Sequence, residues 1–331
     1  MMTVEGNDQT LFDHANRSIA VGSKSFAAAA RLFDPATRRS AVMLYAWCRY
    51  CDDVIDGQVA GHAATSVGQE EVERRLASLF AQTYSVYAGR SVQTPAFAAF
   101  REVVRRHCIP EPYALAHLSG FAMDAQNRHY HRIEDTLDYC YHVAGVVGLM
   151  MARVMGVSDE KTLDRACDLG MGFQLTNIAR DIIEDAGVGR CYLPQEWLQA
   201  MSIPEHDIAN PRYRDAVAML AQRLIHMAEP FYISAQAGLT ALPWRSAWAV
   251  ATAGGVYRAI GLKVRQRGSR AWDERVSTSK LEKVWHIVAG LWRTVMSRGR
   301  RWPDRAAGLW QRPHHVWPTA HRAKHEAGRE V

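Results

Sequence analysis

The sequence predicts an all-α protein, and three observations support this. Apolar residues recur every three or four positions through eight long segments, the spacing of helices that bury one face. No alternation of apolar and polar residues long enough for a half-buried strand lies between them. The intervening breaks contain Pro or Gly, as at Pro110, Pro204 and Pro243. We predict helices over 38–56, 72–88, 96–107, 113–124, 135–155, 160–185, 213–238 and 245–266.

The domain organisation follows from the spacing of the acidic segments. A chain of 331 residues can form one large helical domain or two average ones. Two acidic segments lie near residues 52 and 181, and no linker-like stretch separates them. We therefore predict one helical domain over residues 1–276, followed by a basic, Trp-rich extension over residues 277–331.

Composition excludes several classes of protein. Hydrophobic residues make up 48% of the chain and charged residues 22%, which is ordinary for a globular protein and excludes extensive disorder. No run approaches the roughly 18 apolar residues of a membrane-spanning helix. The first residues lack the pattern of a signal peptide, so we expect a cytoplasmic location. The Cys48 and Cys51 pair has no second CxxC to complete a metal site, and we predict reduced, buried thiols.

The carboxyl-terminal residues carry most of the positive charge. Residues 283–331 contain ten Lys or Arg against three Asp or Glu, and five of the ten Trp. Basic and indole side chains together favour contact with an anionic membrane surface. The alternative is a helix that docks on the helical domain and is followed by a solvated end. Nucleic acid is not an expected partner, because no recognised binding motif accompanies the charge.

The first acidic segment contains Tyr45, Arg49, Asp52 and Asp56. At about 100° per residue these side chains fall within roughly 60° of one helical face. Two carboxylates four residues apart repel each other, and burying them without a partner costs free energy. A hard divalent cation removes both costs, because Mg²⁺ takes carboxylate oxygens while keeping water or phosphate oxygens. A solvated acidic helix end that stops at Gly57 is the alternative.

The second acidic segment repeats oxygen-bearing side chains every four residues, at Asn177, Asp181 and Asp185. They span an arc of roughly 80° on one helix. A neutral amide beside two carboxylates limits the negative charge around a cation. An ordinary charged surface helix would explain Glu184, but not Asn177 and Gln174 among apolar neighbours.

Basic and phenolic side chains accompany the second segment at Arg180, Arg190 and Tyr192. The fork of an Arg side chain matches the geometry of phosphate oxygens. Two Asp-rich helices in an all-α chain therefore predict opposed metal-binding walls of one cavity. A diphosphate bridged by Mg²⁺ is a good leaving group, and the carbocation left behind needs an apolar, water-free pocket.

These segments resemble the squalene and phytoene synthase family. Its signature segments match at 52–56, 139–148 and 170–194, with further similar blocks at 23–26 and 120–124. The resemblance covers about residues 15–275 and is closest to the bacterial phytoene synthase branch. It implies an all-α isoprenoid-synthase-type bundle with a central cavity, and Mg²⁺ or Mn²⁺ as the cofactor.

The resemblance also implies the reaction. Two geranylgeranyl diphosphates condense head to head through a cyclopropylcarbinyl (prephytoene) diphosphate to phytoene, the first committed step of carotenoid biosynthesis, without NADPH. The expected partners are geranylgeranyl diphosphate, an anionic membrane surface and other enzymes of the carotenoid pathway. The expected location is cytoplasmic and peripheral to a membrane.

Site residues are carried over from the family's motifs. The expected catalytic carboxylates, which are also metal ligands, are Asp52, Asp56, Asp181 and Asp185, with Asn177 as a further metal ligand. The expected diphosphate-binding residues are Arg49, Arg180, Arg190, Tyr192 and Tyr257, with Lys263 and Arg265 as additional candidates. The expected pocket residues are Phe26, Tyr45, Tyr139, Val143 and Gln174.

Two other functions fit parts of the sequence. A squalene or dehydrosqualene synthase would use the same motifs on the shorter farnesyl diphosphate. A non-catalytic helical scaffold bound to membranes would explain the extension, but it would have no need of five metal-ligating side chains.

Overall fold

The computed structural model describes residues 24–57, 68–92 and 94–313, together with residues 12 and 15. This part of the chain contains α-helices, short 3₁₀ turns and one π-helical turn, and no strand. The all-α prediction is therefore confirmed. The helices are α1 Lys24–Ala30, α2 Pro35–Asp56, α3 Gln69–Tyr87, α4 Pro95–His107, α5 Glu111–Ala125, α6 Ile133–Cys140, α7 Val146–Val154, α8 Glu160–Gly187, α9 Gln195–Ala200, α10 Arg214–Gly238, α11 Trp244–Arg267 and α12 Lys280–Arg298.

Helix α2 begins and ends where its local sequence indicates. The side chain of Asp34 accepts hydrogen bonds from the backbone N–H groups of Ala36 and Thr37, which satisfies donors of the first turn. Gly57 ends the helix with a φ of 64°, a conformation that glycine adopts without strain. Between these ends Trp47 is fully buried and stacks on Phe100 of α4, with ring centroids 3.9 Å apart.

Helix α8 lies at the centre of the bundle and contacts α7, α10 and α11. Its approach to α7 depends on glycine. A Cβ atom at Gly170 would lie far inside contact distance of the Ala144 carbonyl oxygen, and one at Gly148 would do the same to Ala166. The two backbones therefore touch, which fixes the spacing of the helices that carry the second acidic segment and the 139–148 segment.

The predicted helix over 135–155 is interrupted by a π-helical turn at Tyr141–Gly145. Five residues here take the place of a regular turn, so the side chains that follow are rotated relative to those of α6. Single π-helical turns are frequent at functional sites. The turn contains Val143, one of the expected pocket residues.

The described part of the predicted extension, residues 277–313, packs on the rest of the protein. Helix α12 lies along α11, and the chain then returns to the beginning of α8. There Arg305 forms two hydrogen bonds with the fully buried Asp168, with N–O distances of 2.7 and 2.9 Å. Arg312 binds Asp164 at 2.6 Å and also Glu160. Residues 314–331, including Trp317, lie outside the described residues.

None of the described helices combines the length and apolar character needed to cross a bilayer. The six cysteines are free thiols, and Cys51 is fully buried. Burial raises the pKa of the Cys51 thiol, as expected for a packing residue and not for a reactive thiolate.

The pairing of Asp168 with Arg305 predicts a large stability effect. Changing Arg305 to Met should lower the free energy of unfolding by about 3 kcal/mol, because it leaves a buried carboxylate without its counter-ion. Urea denaturation followed by circular dichroism measures this. Arg301→Met, at an exposed arginine in the same segment, should change stability by less than about 0.5 kcal/mol. Equal stability of the two variants would contradict the role given to the pair.

Candidate active site

The first acidic segment lies at the end of α2. Arg49 is held between two carboxylates: its Nη1 is 2.8 Å from Asp52 Oδ2, and its Nη2 is 2.7 Å from Asp53 Oδ1. The Nε–H of Arg49 is buried and makes no hydrogen bond within the described residues. Asp52 is the more exposed carboxylate, with 39% of its side chain accessible. Asp56 is the last residue of the helix, and its side chain lies outside the described part.

Aromatic rings form the wall beside this segment. Tyr45 lies one turn before Arg49 and stacks on Phe26 of α1, with centroids 4.9 Å apart. Burial raises the pKa of Tyr45, and the nearby phenol of Tyr257 adds to the effect. Tyr257 of α11 stacks on Phe173 of α8 at 4.1 Å. Four helices thus contribute aromatic faces to one region.

The second acidic segment lies near the end of α8. The guanidinium of Arg180 forms two hydrogen bonds with Asp181, with the Nε–Oδ1 distance at 2.7 Å. Arg275, from the loop before α12, approaches the same carboxylate at 3.3 Å and Glu184 at 3.7 Å. Arg275 is not among the site residues expected from the sequence, because it lies outside the matched signature segments and 94 residues from Asp181.

The amide of Asn177 is oriented by its neighbour. Its Nδ2 donates to Gln174 Oε1 at 3.3 Å, which leaves Oδ1 buried and without a hydrogen bond among the described residues. An unpaired buried oxygen costs free energy unless a ligand binds it. Asn177 Oδ1 thus has the properties of a metal-ligating oxygen.

Asp185 completes this face of α8 and carries a strongly perturbed carboxyl group. Burial raises the pKa of Asp185 to about 7, and the negative charges of Asp181, Glu184 and Asp124 act in the same direction. The positive charge of Arg190 opposes them. A cation would stabilise the ionised carboxylate in the same way.

These side chains fit a divalent cation, with ligands drawn from separate segments. Among the described residues, no three His, Cys, Asp or Glu side chains converge into a ready metal site. The donors are instead carboxylate and amide oxygens at Asp52, Asn177, Asp181 and Asp185. Oxygens of this kind suit Mg²⁺, which keeps positions open for water and substrate phosphate.

A second polar cluster supports the site from α5. Asp124 accepts hydrogen bonds from the hydroxyls of Tyr139 and Tyr192, each at 3.0 Å. The two phenol rings stack with centroids 4.6 Å apart. Asp124 was noticed in the sequence only as part of the 120–124 block, and no role was assigned to it. The structure shows that it holds two of the expected site tyrosines in one orientation.

Of the remaining expected residues, Val143 and Arg190 lie beside the residues described above, whereas Lys263 and Arg265 do not. Val143 is half-buried, with its Cγ1 2.7 Å from the position that a Cβ of Gly120 would take. Arg190 lies close enough to Asp185 to lower its pKa. Lys263, in contrast, binds Glu282 and the Ser277 carbonyl oxygen, so it anchors α12. Arg265 is exposed.

Known proteins of one family are similar to this chain. The family model described as squalene/phytoene synthase matches residues 19–282. The chain is 58% identical over 303 residues to the phytoene synthase of Pseudescherichia vulneris, covering 92% of this chain and 98% of that protein. It is 55% identical over 307 residues to the 15-cis-phytoene synthase of Pantoea ananas, covering 93% and 99%.

Solved structures share the fold. A dehydrosqualene synthase crystallised with a ligand has a TM-score of 0.76 at 25% identity, covering 86% of this chain and 96% of that one. A squalene synthase from Alicyclobacillus acidocaldarius has a TM-score of 0.69 at 21% identity, covering 81% and 97%.

Asp181 and Glu184 of α8 differ in exposure, and removing either carboxylate should have a different effect. Asp181→Asn should weaken the binding of inorganic diphosphate at least tenfold when Mg²⁺ is present, because a metal-ligating carboxylate is lost. Without Mg²⁺ the affinity should not fall, because Arg180 and Arg275 are freed from Asp181. Isothermal titration calorimetry measures both. Glu184→Gln, at a carboxylate 62% exposed, is the matched control and should bind like the parent. Equal losses in the two variants would contradict the assignment.

Proposed function

The chain belongs to the squalene/phytoene synthase family and is a prenyl transferase of the phytoene synthase type, and we propose that it condenses two geranylgeranyl diphosphates head to head to phytoene with Mg²⁺ or Mn²⁺. Enzymes of this family condense prenyl diphosphates and generally depend on a divalent metal. The observation that carries the proposal is the pair of acidic segments with arginines beside them, next to one aromatic wall. The identity of 55–58% to phytoene synthases supports the longer substrate.

The metal would be held by the side chains described above. Asp52 and Asp56 would bind it from α2, and Asn177, Asp181 and Asp185 from α8. The bound ions would neutralise the diphosphate and so make it a better leaving group. Mn²⁺ takes the same oxygen donors.

The arginines bind and orient the diphosphates. Arg49 and Arg180 are paired with carboxylates in this structure and carry planar, permanently charged forks. The Nε–H of Arg49, which makes no hydrogen bond in the described part of the chain, is a donor for a phosphate oxygen. Arg190 adds a third positive charge beside Asp185. These contacts would fix C1 of one substrate close to the double bond of the other, which lowers the entropic cost of the condensation.

The aromatic wall protects the allylic carbocation. The rings of Phe26, Tyr45, Phe173 and Tyr257 exclude water and place π-electron density near the positive charge. The raised pKa of Tyr45 keeps its phenol neutral, so it does not act as a nucleophilic phenolate. Tyr139 and Tyr192, held by Asp124, close the pocket from the side of α6.

The chain length of the hydrocarbon product tests the proposed reaction. Geranylgeranyl diphosphate and Mg²⁺ should give a C40 hydrocarbon with no reductant, and NADPH should change neither the rate nor the product. Farnesyl diphosphate should react with a lower kcat/KM, because a shorter chain buries fewer methylene groups, at about 0.8 kcal/mol each. Chromatography of the hydrocarbon from radiolabelled substrate measures this.

A matched pair of variants controls that experiment. Asp181→Asn should cut turnover at least about a hundredfold, and Glu184→Gln should not. Exclusive conversion of farnesyl diphosphate to a C30 product, or dependence on NADPH, would assign the enzyme to the squalene side of the family. Absence of any hydrocarbon would favour the non-catalytic scaffold.

We further propose that α12 attaches the enzyme to an anionic membrane surface. The face of α12 that packs on α11 is small and polar, with His286, Gly290, Thr294 and Ser297 buried. The opposite face is apolar and exposed, which is the reverse of an ordinary surface helix. Seven side chains form this exposed stripe: Leu281, Val284, Trp285, Val288, Trp292, Val295 and Met296.

The charges around the stripe favour a lipid bilayer as its partner. Lys280, Arg298, Arg300 and Arg301 are exposed at the two ends of α12. Basic side chains near anionic headgroups contribute roughly 1 kcal/mol each, and indoles prefer the interface between headgroups and acyl chains. An apolar stripe with basic ends is the pattern of helices that lie in that interface.

The stripe can be tested without disturbing the core. The double variant Trp285→Ser and Trp292→Ser should bind liposomes containing phosphatidylglycerol at least tenfold more weakly, because it removes the two largest apolar groups of the stripe. Both indoles are about two-thirds exposed, at 67% and 65%, so folding should be unaffected. Liposome flotation measures the bound fraction. Tyr84→Ser, at an exposed ring on α3, is the control. Unchanged binding of the double variant would place membrane contact elsewhere.

A further inference from the structure

A cleft lies between α8, α10 and α11, and α12 closes one side of it. Its empty volume is about 400 Å³, including space open to solvent. Leu169 and Gly254 line it, one turn before Phe173 and Tyr257 on the same helices. The stacked rings of Phe173 and Tyr257 thus separate this cleft from the candidate active site.

The interior of the cleft is apolar, and it stays open because several of the residues that line it are small. Ala235 of α10 and Ala251 of α11 contribute only methyl groups. Gly254 contributes no side chain, and a Cβ there would meet Leu169 only at an ordinary contact distance of 3.6 Å. A slender hydrocarbon chain could therefore enter between the helices.

The rim of the cleft carries uncompensated positive charge. Arg258 is paired with Glu229, with the Nε–Oε2 distance at 2.9 Å. Arg293 of α12 also lines the cleft, and in the described part of the chain it makes no hydrogen bond or ion pair. Its guanidinium rests against α11 at Gly255, where any side chain would collide with it.

The surroundings of Arg293 explain why an anion would be favourable there. Burial and the charge of Arg258 both lower the pKa of Arg293. Arg293 in turn helps to lower the pKa of His286, whose other charged neighbours are Glu282 and Lys263. Two guanidinium groups and one carboxylate therefore meet at the rim of an apolar cleft.

We propose that this cleft binds one anionic phospholipid, with its phosphate on Arg293 and part of an acyl chain between α10 and α11. The inference rests on the proposed attachment of α12 to a membrane, because the same helix supplies both the exposed stripe and Arg293. A phospholipid fits better than a prenyl diphosphate. Among the described residues that line the cleft, the guanidinium of Arg293 has no hydrogen bond or ion pair and can bind one phosphate, and no Asp or Glu is present to hold the metals of a diphosphate.

Titration of the full-length protein with dioctanoyl phosphatidylglycerol, kept below its micelle concentration, tests the site without a membrane or turnover. The parent should bind about one lipid saturably. Arg293→Gln should weaken binding roughly tenfold, which corresponds to the loss of one charge-assisted hydrogen bond. Arg293→Lys should restore most of it. Gly254→Leu should abolish binding, because its side chain fills the cleft. Lys161→Gln, which removes one exposed charge from the beginning of α8, should bind like the parent.

The outcomes separate this proposal from the proposed reaction. Saturable binding that is lost in Arg293→Gln and Gly254→Leu supports the lipid site, whatever the turnover. Binding unchanged in both variants overturns it, as does no saturable binding by a parent that still makes hydrocarbon. If the two variants lose affinity for a non-hydrolysable geranylgeranyl thiodiphosphate but keep it for the lipid, the cleft belongs to the substrate and the lipid assignment is overturned.

Discussion

Repulsion between carboxylates is the constraint on which this site depends. Asp52 and Asp53 converge on Arg49, and Asp181 is shared by Arg180 and Arg275. Each arginine offsets negative charge that would otherwise oppose folding of the acidic helix ends. The same arginines are suited to phosphate, so binding of a metal-bound diphosphate would exchange one set of ionic partners for another. Asp185 lacks such full compensation, and burial together with the neighbouring carboxylates raises its pKa.

Periodicity alone predicted most of the fold. The segments 38–56, 160–185 and 245–266 lie within helices α2, α8 and α11, because each buries a continuous apolar face. The stripe formed by Asn177, Asp181 and Asp185 could also be predicted, since it depends only on the geometry of one helix. The π-helical turn could not be predicted, because helical periodicity does not show the close approach of Gly145 and its neighbours to α8.

The site contacts that could not be predicted from the sequence join residues that lie far apart in the chain. Arg275 reaches Asp181 across 94 residues, and Asp124 meets Tyr192 across 68. Neither spacing follows from a helical repeat. A docked helix in the extension was one of two expected alternatives, but the orientation of α12 could not be predicted. Its apolar stripe is periodic, but periodicity does not show which face is buried, and in this helix Gly290 and Thr294 pack inward while Trp285 and Trp292 face outward.

The ion pair between Asp168 of α8 and Arg305, which follows α12, affects how the protein folds during synthesis. Asp168 is fully buried, and its counter-ion Arg305 follows 137 residues later in the chain. During synthesis, α8 emerges from the ribosome with this charge uncompensated, so the helices around it cannot close tightly in a dry interior. The bundle can complete its packing only after residue 305 has been translated. Helix α12, for which we propose membrane contact, is made just before Arg305, so the packing of the bundle and the exposure of the apolar stripe on α12 are completed together.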